Sequence, residues 1–317
     1  MTSVLDLALP LFGLILLGFV AGRWLQIAES GLGWLNALIL YLALPALIFR
    51  TIATAPFHEL GNWQFIAATV SATSLVYVSQ YVFSALACRE RGQVAAIQAS
   101  AASYGNVGYM GLALAVTVFG PSAAVPAALI FCFDSVFHFT VTPLLVAFGL
   151  RHDHPDLSFR AVTLRIVKSI AFHPFILATA AGVAASALHL AIPRALDNML
   201  VMLMNTAAPS ALFALGVTLA LRKFDSIGRE FPVIIAGKTV IHPLVAFVAV
   251  SLVPDLDPVW RHVAIMMASL PTASNVFILA TQYRTYVEGT SSVILVTTML
   301  SALTVPVLLY LAQINVI

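Results

Sequence analysis

The sequence predicts an all-α integral membrane protein whose ten transmembrane helices form two inverted repeats of five, with broken helices at spans 4 and 9. Three observations support this fold: long apolar segments, an uneven distribution of Lys and Arg between the loops, and pairs of motifs that recur in order. Of the 317 residues, 61% are hydrophobic and only 9% are charged. This composition lies outside the range of water-soluble domains.

The apolar segments between charged clusters run to about 20 residues, enough for a helix to cross the hydrocarbon core. The first is interpreted as a retained span rather than a signal peptide, because no basic residue precedes it and Asp6 lies where a signal peptide is positive. The ten predicted spans are residues 4–22, 32–51, 63–87, 93–119, 122–149, 166–190, 196–220, 232–253, 260–282 and 291–313.

Loop charges orient these spans, because Lys and Arg are enriched in cytoplasmic loops. With the N-terminus outside, eleven of the 15 Lys and Arg residues fall in inner loops and three in outer loops. The remaining one, Lys238, is expected about two helical turns inside span 8, with its ammonium reaching back to the cytoplasmic interface. A multi-pass protein of the cell inner membrane is predicted, with both termini on the periplasmic side.

Three pairs of motifs recur in the same order along the chain, which indicates an internal duplication. The pairs are 99–107 with 268–276, 45–49 with 209–213, and 141–145 with 304–308, at offsets of 169, 164 and 163 residues. Because each unit holds an odd number of spans, the second unit enters the membrane inverted. Residues 1–150 are predicted to form the first repeat, 151–165 a cytoplasmic linker, and 166–317 the second repeat.

Asn106 and Asn275 occupy equivalent positions in the two repeats, beside residues that interrupt a helix. Gly105 and Gly108 flank the first, and Pro271 precedes the second by four positions. Interrupted membrane helices usually surround a binding site, because the freed backbone groups must be buried in protein or lined by water. The half-helix that begins after each break presents its positive N-terminus, which favours a carboxylate.

Side-chain donors near the breaks complete the predicted substrate site. The amides of Asn106 and Asn275 can donate to a carboxylate, and Ser103, Thr272 and Ser274 add hydroxyl groups. The alternative is that the two asparagines only join neighbouring helices, as polar residues in helix bundles often do.

Titratable side chains inside the predicted spans are candidates for proton coupling. Asp134 lies in the middle of span 5, and His138 follows one turn later on the same face. Ionisable groups at this depth are costly and often mark ion or proton pathways. The alternative is a structural ion pair that locks neighbouring spans together. His242 and His173 each precede a proline, and each is either a partner for a freed carbonyl or a substrate contact.

Across essentially its whole length the chain resembles the auxin efflux carrier family, which includes plant auxin exporters and bacterial carriers of malonate or malate. The similar segments are Leu9 to Phe12 leading into Gly18, Leu44 to Phe49, Asn106 to Gly111, and Pro271 to Asn275. The chain departs from the family at His173, where many members have asparagine, and it lacks the long cytoplasmic loop of many plant members.

The resemblance implies a scaffold of spans 1, 2, 6 and 7 and a transport domain of spans 3–5 and 8–10. It also implies a substrate site at the crossover of spans 4 and 9, an elevator-like motion, and a homodimer formed through the scaffold. Bile acid sodium symporters and NhaA-like carriers share this architecture.

The expected function is secondary transport of a small organic anion, such as an auxin-like monocarboxylate, malonate or malate, with Asp134, His138 and His242 as candidates for proton coupling. The absence of a mid-depth arginine favours a monocarboxylate, although Lys238 or His242 could serve a dicarboxylate. A sodium-coupled symporter of the bile acid type and a channel are the alternatives.

Other functional classes find no support in the sequence. No nucleophile, base or metal-ligand set occurs at motif spacing, so neither an enzyme nor a metal site nor a cofactor is predicted. The net charge of +2, without a basic aromatic face, argues against nucleic acid as a partner. Cys88 and Cys132 lack metal-site spacing and are expected to be free thiols.

Overall fold

The structure, a computed structural model, describes residues 4–25, 31–151, 171–221 and 228–313, together with 164, 167 and 168. Most of the predicted linker at 151–165 and the beginning of predicted span 6 therefore lie outside the described residues. The described part of the chain is helical and contains no strand; its isolated β-bridge joins Gly105 to Thr272.

The longer helices are labelled α1 to α12 in chain order. They are α1 Val4–Trp24, α2 Leu32–Ala53, α3 Trp63–Leu86, α4 Gly92–Ser103, α5 Leu112–Phe119, α6 Ala124–Arg151, α7 Pro174–Ala187, α8 Arg194–Leu221, α9 Phe231–Ser251, α10 Pro258–Ser269, α11 Ser274–Tyr283 and α12 Val287–Gln313.

Six of the described helices are long and apolar enough to cross a membrane by length and composition: α2, α3, α6, α8, α9 and α12. The apolar part of α1 and helix α7 are shorter. Helices α4, α5, α10 and α11 are short because predicted spans 4 and 9 are each interrupted. The all-helical membrane class is thus confirmed, while ten crossings and the inversion of the halves stay predictions.

The chain divides into two compact units, each drawing on both halves of the sequence. Unit 1 comprises Met1–Trp63, Gly108–Cys132 and Phe172–Arg222, and unit 2 comprises Gln64–Val107, Phe133–Ala171 and Lys223–Ile317.

Unit 1 is built on a close approach of α1 and α8 at glycine positions. A Cβ added at Gly18 would collide with the carbonyl oxygen of Phe213, and one added at Gly216 would collide with the carbonyl oxygen of Ile15. Only residues without a side chain let two membrane helices approach so closely. On another side of α8, Arg50 Nε donates a 2.7 Å hydrogen bond to Asp197 Oδ1 and so joins α2 to α8.

The N-terminus of α7, also in unit 1, is capped by a histidine. His173 Nδ1 accepts a 3.4 Å hydrogen bond from the backbone N–H of Phe175, and Pro174 occupies the first helical position. His173 Nδ1 therefore accepts from a backbone N–H, whereas the sequence predicted that the ring would bind a carbonyl group freed by Pro174. An asparagine, the residue expected from the family, also caps helices well.

Two prolines explain the wide turns inside α2 and α9. Pro45 follows a π-helical turn at Ile39–Ala43, and Pro243 follows one at Gly237–Ile241. Proline lacks an N–H group, and its ring crowds the carbonyl four residues earlier. The extra residue of a π turn relieves this conflict, and such turns often occur at functional sites.

Candidate functional site

The candidate site lies in unit 2, where two helices end and the chain crosses itself. Helix α10 is capped at its N-terminus by Asp257, whose carboxylate accepts a 2.7 Å hydrogen bond from the N–H of Val259. It ends at Ser269, because Pro271 restricts the preceding residue to extended backbone and Leu270 has ψ 152°. Helix α4 ends at Ser103, and the next residue is extended as well.

Backbone hydrogen bonds tie the two breaks together around the pair formed by Gly105 and Thr272. The N–H of Asn106 donates to the carbonyl oxygen of Pro271 over 2.7 Å, and the N–H of Ala273 donates to the carbonyl oxygen of Tyr104 over 2.9 Å. These bonds satisfy backbone groups that would otherwise be costly inside a membrane.

The side chain of Thr272 also serves the crossing. Its hydroxyl donates a 2.7 Å hydrogen bond to the carbonyl oxygen of Ala101, near the end of α4. Its backbone N–H donates to Thr297 Oγ1 on α12 over 3.1 Å. Thr272 therefore joins the break between α10 and α11 to two other helices of unit 2, α4 and α12.

Gly105 and Gly108 are needed for space rather than for left-handed backbone. A Cβ at Gly105 would lie 3.0 Å from the carbonyl oxygen of Met267. In unit 1, a Cβ at Gly108 would lie 2.7 Å from the ring of Phe131. Among the glycines described, positive φ occurs at Gly120.

The two predicted asparagines differ in how their amides are used. Asn106 is 2% exposed, and its Nδ2 has no hydrogen-bond partner among the residues that the structure describes. Asn275 is 8% exposed, and its Nδ2 makes a long 3.5 Å hydrogen bond to the hydroxyl of Tyr104. Within the described ranges, the Asn106 amide therefore presents a buried donor without a partner.

His138 lies directly beside the break in α4. Its ring stacks on Tyr104, with centroids 4.2 Å apart, and its Nδ1 lies 3.2 Å from Ser100 Oγ. In the tautomer in which the Ser100 hydroxyl donates to Nδ1, the ring proton resides on Nε2, which has no partner among the described residues although His138 is fully buried. The hydroxyl of Tyr104 lies 3.1 Å from Ser135 Oγ and thereby holds the stack in place.

Four hydrogen-bonded polar side chains, called here the polar group of unit 2, extend from α9 to α6. Lys238 Nζ lies 2.9 Å from His242 Nδ1, and His242 Nε2 lies 3.3 Å from Thr73 Oγ1. Thr73 in turn donates to Asp134 Oδ1 over 3.0 Å. All four side chains are buried.

This group corrects three interpretations of the sequence. Lys238 does not reach the interface: it is 0% exposed, because its ammonium donates to the carbonyl oxygen of Ala268 over 2.6 Å. Asp134 and His138 contact neighbouring helices through the hydroxyls of Thr73 and Ser100, and neither forms an ion pair within the described residues. His242 bonds two side chains rather than a carbonyl freed by the following proline.

The remaining predicted site residues also lie at the crossing. They differ in whether their polar groups are already used in hydrogen bonds within the protein. The hydroxyl of Ser103 donates back to the carbonyl oxygen of Ala99 over 2.8 Å, so that donor is used within α4. Ser274 is half-buried at the first residue of α11. Pro271 supplies the carbonyl that receives Asn106.

Sequence reasoning missed several partners that the structure brings to this site, notably Thr73, Ser100 and Ser135. Hydroxyl residues are frequent in membrane helices, and nothing local distinguishes these three. Within the described ranges, no group of three or more His, Cys, Asp or Glu residues is arranged to hold a metal ion. Cys88 and Cys132 are free thiols, as expected.

Comparison with known proteins adds a family-level result. A family model described as membrane transport protein matches residues 3–309. The chain is 44% identical over 314 residues to the "Putative malonate transporter" of Rhizobium meliloti (strain 1021), covering 99% of this chain and 97% of that protein. It is 25% identical over 315 residues to "Uncharacterized transporter YfdV" of Escherichia coli (strain K12), covering 96% of each. It is also 24% identical over 317 residues to "Lysosomal cholesterol signaling protein" of Mus musculus, covering 95% of this chain but 36% of that protein.

Proposed function

Since the chain belongs to the auxin efflux carrier family of membrane transport proteins, we propose that it is a secondary carrier of a small dicarboxylate of the malonate type. The relative that is 44% identical over nearly the full length of both chains bears the name of a malonate transporter, which supports this substrate class over the monocarboxylate that the sequence alone favoured.

One observation carries the proposal: two buried nitrogen atoms beside the crossover, both able to donate a hydrogen bond, have no partner among the described residues. They are Asn106 Nδ2 and His138 Nε2. Burying a polar group without a hydrogen bond is costly, so such groups generally meet a ligand or water. Carboxylate oxygens accept hydrogen bonds from both amide and imidazole donors. The N-terminus of α11 begins at the same crossing and favours negative charge.

The transport cycle proposed for this site is elevator-like. Ten spans in two inverted repeats would place the crossing near the middle of an inner membrane, with both termini in the periplasm. A scaffold of spans 1, 2, 6 and 7 would form the homodimer, while spans 3–5 and 8–10 carry the substrate. The close packing of α1 on α8 supports a rigid scaffold, because small residues at membrane helix contacts permit extensive backbone contact.

Proton coupling is proposed for the buried polar group of unit 2. Asp134 is the carboxylate of this group and is connected through Thr73 to His242. Buried ionisable residues linked in a chain are typical of proton relays in transporters. His138 contributes the substrate donor in this proposal, so it and Asp134 have separate tasks.

Counterflow in proteoliposomes tests the carrier function. Vesicles preloaded with unlabelled malonate should transiently accumulate external labelled malonate, with saturation, and excess malonate should compete better than acetate or an auxin-like monocarboxylate. Flux that rises linearly with concentration and shows no counterflow would indicate a channel. Stronger competition by the monocarboxylates would contradict the dicarboxylate assignment.

A further inference from the structure

Lys238 carries a fully buried amino group whose position is fixed by hydrogen bonds to the protein. Its side chain is 0% exposed, and its ammonium donates to the carbonyl oxygen of Ala268 over 2.6 Å. A second ammonium proton faces His242 Nδ1 at 2.9 Å. A buried charge is tolerated only where the protein compensates it. The groups around Lys238 should therefore include ones that stabilise a positive charge.

The helix that carries Lys238 is shaped to bring the ammonium to the crossing. Lys238 lies in the π turn Gly237–Ile241 of α9. A Cβ at Gly237 would lie 3.3 Å from the Cβ of Ala102 on α4, so a glycine permits this approach. At the other end of the side chain, Nζ lies 3.4 Å from where a Cβ of Gly105 would be.

The ammonium sits where helices present their negative ends. Both α4 and α10 run into the crossing with their C-termini, ending at Ser103 and Ser269. Each such end is equivalent to roughly half a negative charge. Ala268, whose carbonyl oxygen the ammonium binds, belongs to the last turn of α10. One positive charge at this position therefore complements two helix C-termini.

The directions of the hydrogen bonds in the buried series Lys238–His242–Thr73–Asp134 also identify Lys238 as the donor at one end of the series. The single hydroxyl proton of Thr73 is directed at Asp134 Oδ1, so Thr73 must accept from His242 Nε2. His242 Nδ1 is then an acceptor, and Lys238 donates to it. The hydrogen bonds thus run from the Lys238 side chain at one end to the Asp134 carboxyl group at the other, so that a positive charge on Lys238 and a negative charge on Asp134 compensate each other.

We propose that the Lys238 ammonium is a tethered cation occupying the place that a coupling sodium ion would take in unit 2. In sodium-coupled carriers, helix C-termini and carbonyl groups of unwound segments coordinate the ion. Here the carbonyl oxygen of Ala268 at such an end is bound by the lysine, and the positive charge repels a second cation. Substrate transport is therefore independent of sodium. This consequence rests on the proposed carrier function, whereas the cation site itself does not.

The first experiment uses the wild-type protein. Malonate counterflow should be the same in sodium chloride and in choline chloride, and neither salt should shift the melting temperature relative to the other. Stimulation of uptake by sodium, or a sodium-dependent rise in the melting temperature, would overturn the proposal. If no carboxylate is transported at all, the proposed function fails, but the melting comparison still decides the cation site.

The second experiment removes the tethered charge and supplies a free one. Lys238→Ala should melt at a lower temperature in choline chloride, and ethylammonium or sodium should restore most of the loss in a concentration-dependent way. The exposed Lys168 provides the matched control: Lys168→Ala should show no such cation dependence. A folded Lys238→Ala protein that responds to neither cation would contradict the proposal.

A charge-neutral variant covers the case in which Lys238→Ala does not fold. Lys238→Met retains the length and volume of the side chain without its charge. It should lose malonate uptake, while Lys238→Arg, which keeps the charge, should retain a measurable fraction. Wild-type uptake by Lys238→Met in sodium-free buffer would show that no cation is needed at this position and would overturn the proposal.

Discussion

The backbone N–H of Asn106 donates a 2.7 Å hydrogen bond to the carbonyl oxygen of Pro271, so the two copies of a repeated motif bind each other at the residues that break their helices. The bond uses the main chain of Asn106, while the buried side-chain Nδ2 has no partner among the described residues. The repeated motif thus provides both the crossing and, in the proposed function, a donor for the substrate.

Thr272→Val tests the contribution of the threonine hydroxyl to the crossing. Valine preserves the shape of the side chain but removes the donor to the carbonyl oxygen of Ala101. Because that carbonyl is buried, its loss of a partner should lower the free energy of unfolding by about 1–3 kcal/mol. Thermal unfolding in detergent measures the effect.

Thr218→Val is the control for this substitution. The hydroxyl of Thr218 donates to the carbonyl oxygen of Ala214 within α8, and that carbonyl keeps its helical N–H partner. The expected change is about 0.5 kcal/mol or less. Equal losses in both variants would mean that the crossing gains nothing special from Thr272.

Gly216→Ala tests the close approach of α1 and α8. The added Cβ would collide with the carbonyl oxygen of Ile15, and backbone atoms cannot rotate away as a side chain can. Overpacking of this kind should cost about 1–3 kcal/mol, seen as a lower melting temperature. Gly13→Ala in the same α1 meets nothing within 4 Å and should not destabilise. Similar melting temperatures for both variants would contradict the proposed packing.

The breaks were predictable from sequence because proline and glycine act locally. Pro271 dictates extended backbone at Leu270 whatever surrounds it. The pairing of Gly105 with Thr272 could not be predicted from either local segment, since it depends on how distant parts of the chain fold together. The repeated motif indicated that the breaks were related, and the family resemblance that spans 4 and 9 cross, but neither indicated which backbone groups bind each other.

The polar group of unit 2 was only partly predictable for the same reason. The spacing of Asp134 and His138 places them on one helix face, yet their partners, Thr73 and Ser100, come from two other helices. The predicted position of the Lys238 ammonium was wrong. A lysine near the end of a span usually extends its charged group to the membrane interface. Here a carbonyl at the C-terminus of α10 offers a better acceptor inside the protein.

Glu90, between α3 and α4, should make stability depend on pH. Its burial, together with the nearby Glu230 carboxylate, raises the pKa of its carboxyl group above the ordinary 4.5. Because the folded protein then holds this proton more tightly than the unfolded chain, the free energy of unfolding should fall as pH rises from about 4.5 through the raised pKa. Thermal melts across this pH range should show the decline.

Glu90→Gln should flatten this part of the pH profile, since glutamine does not titrate. Glu288 is exposed at the start of α12, so Glu288→Gln should retain the wild-type profile. An unchanged decline in Glu90→Gln would assign the pH dependence to another group.

Asp134→Asn tests the proposed coupling. Asparagine keeps an oxygen that can accept from Thr73 but cannot exchange a proton near neutral pH. Malonate uptake should therefore lose its stimulation by a pH gradient, while equilibrium binding measured by thermal shift is preserved. Gradient-stimulated uptake equal to that of the wild type would place the coupling group elsewhere.

The most direct test of the substrate site is the effect of malonate on melting temperature. Wild-type protein should be stabilised in proportion to the logarithm of malonate concentration once the site is nearly saturated. Asn106→Ala and Asn275→Ala should each abolish that stabilisation, and Asn198→Ala, at an exposed position of α8, should leave it intact. A full malonate-induced shift in both Asn106→Ala and Asn275→Ala would show that these asparagines join helices and do not hold the substrate.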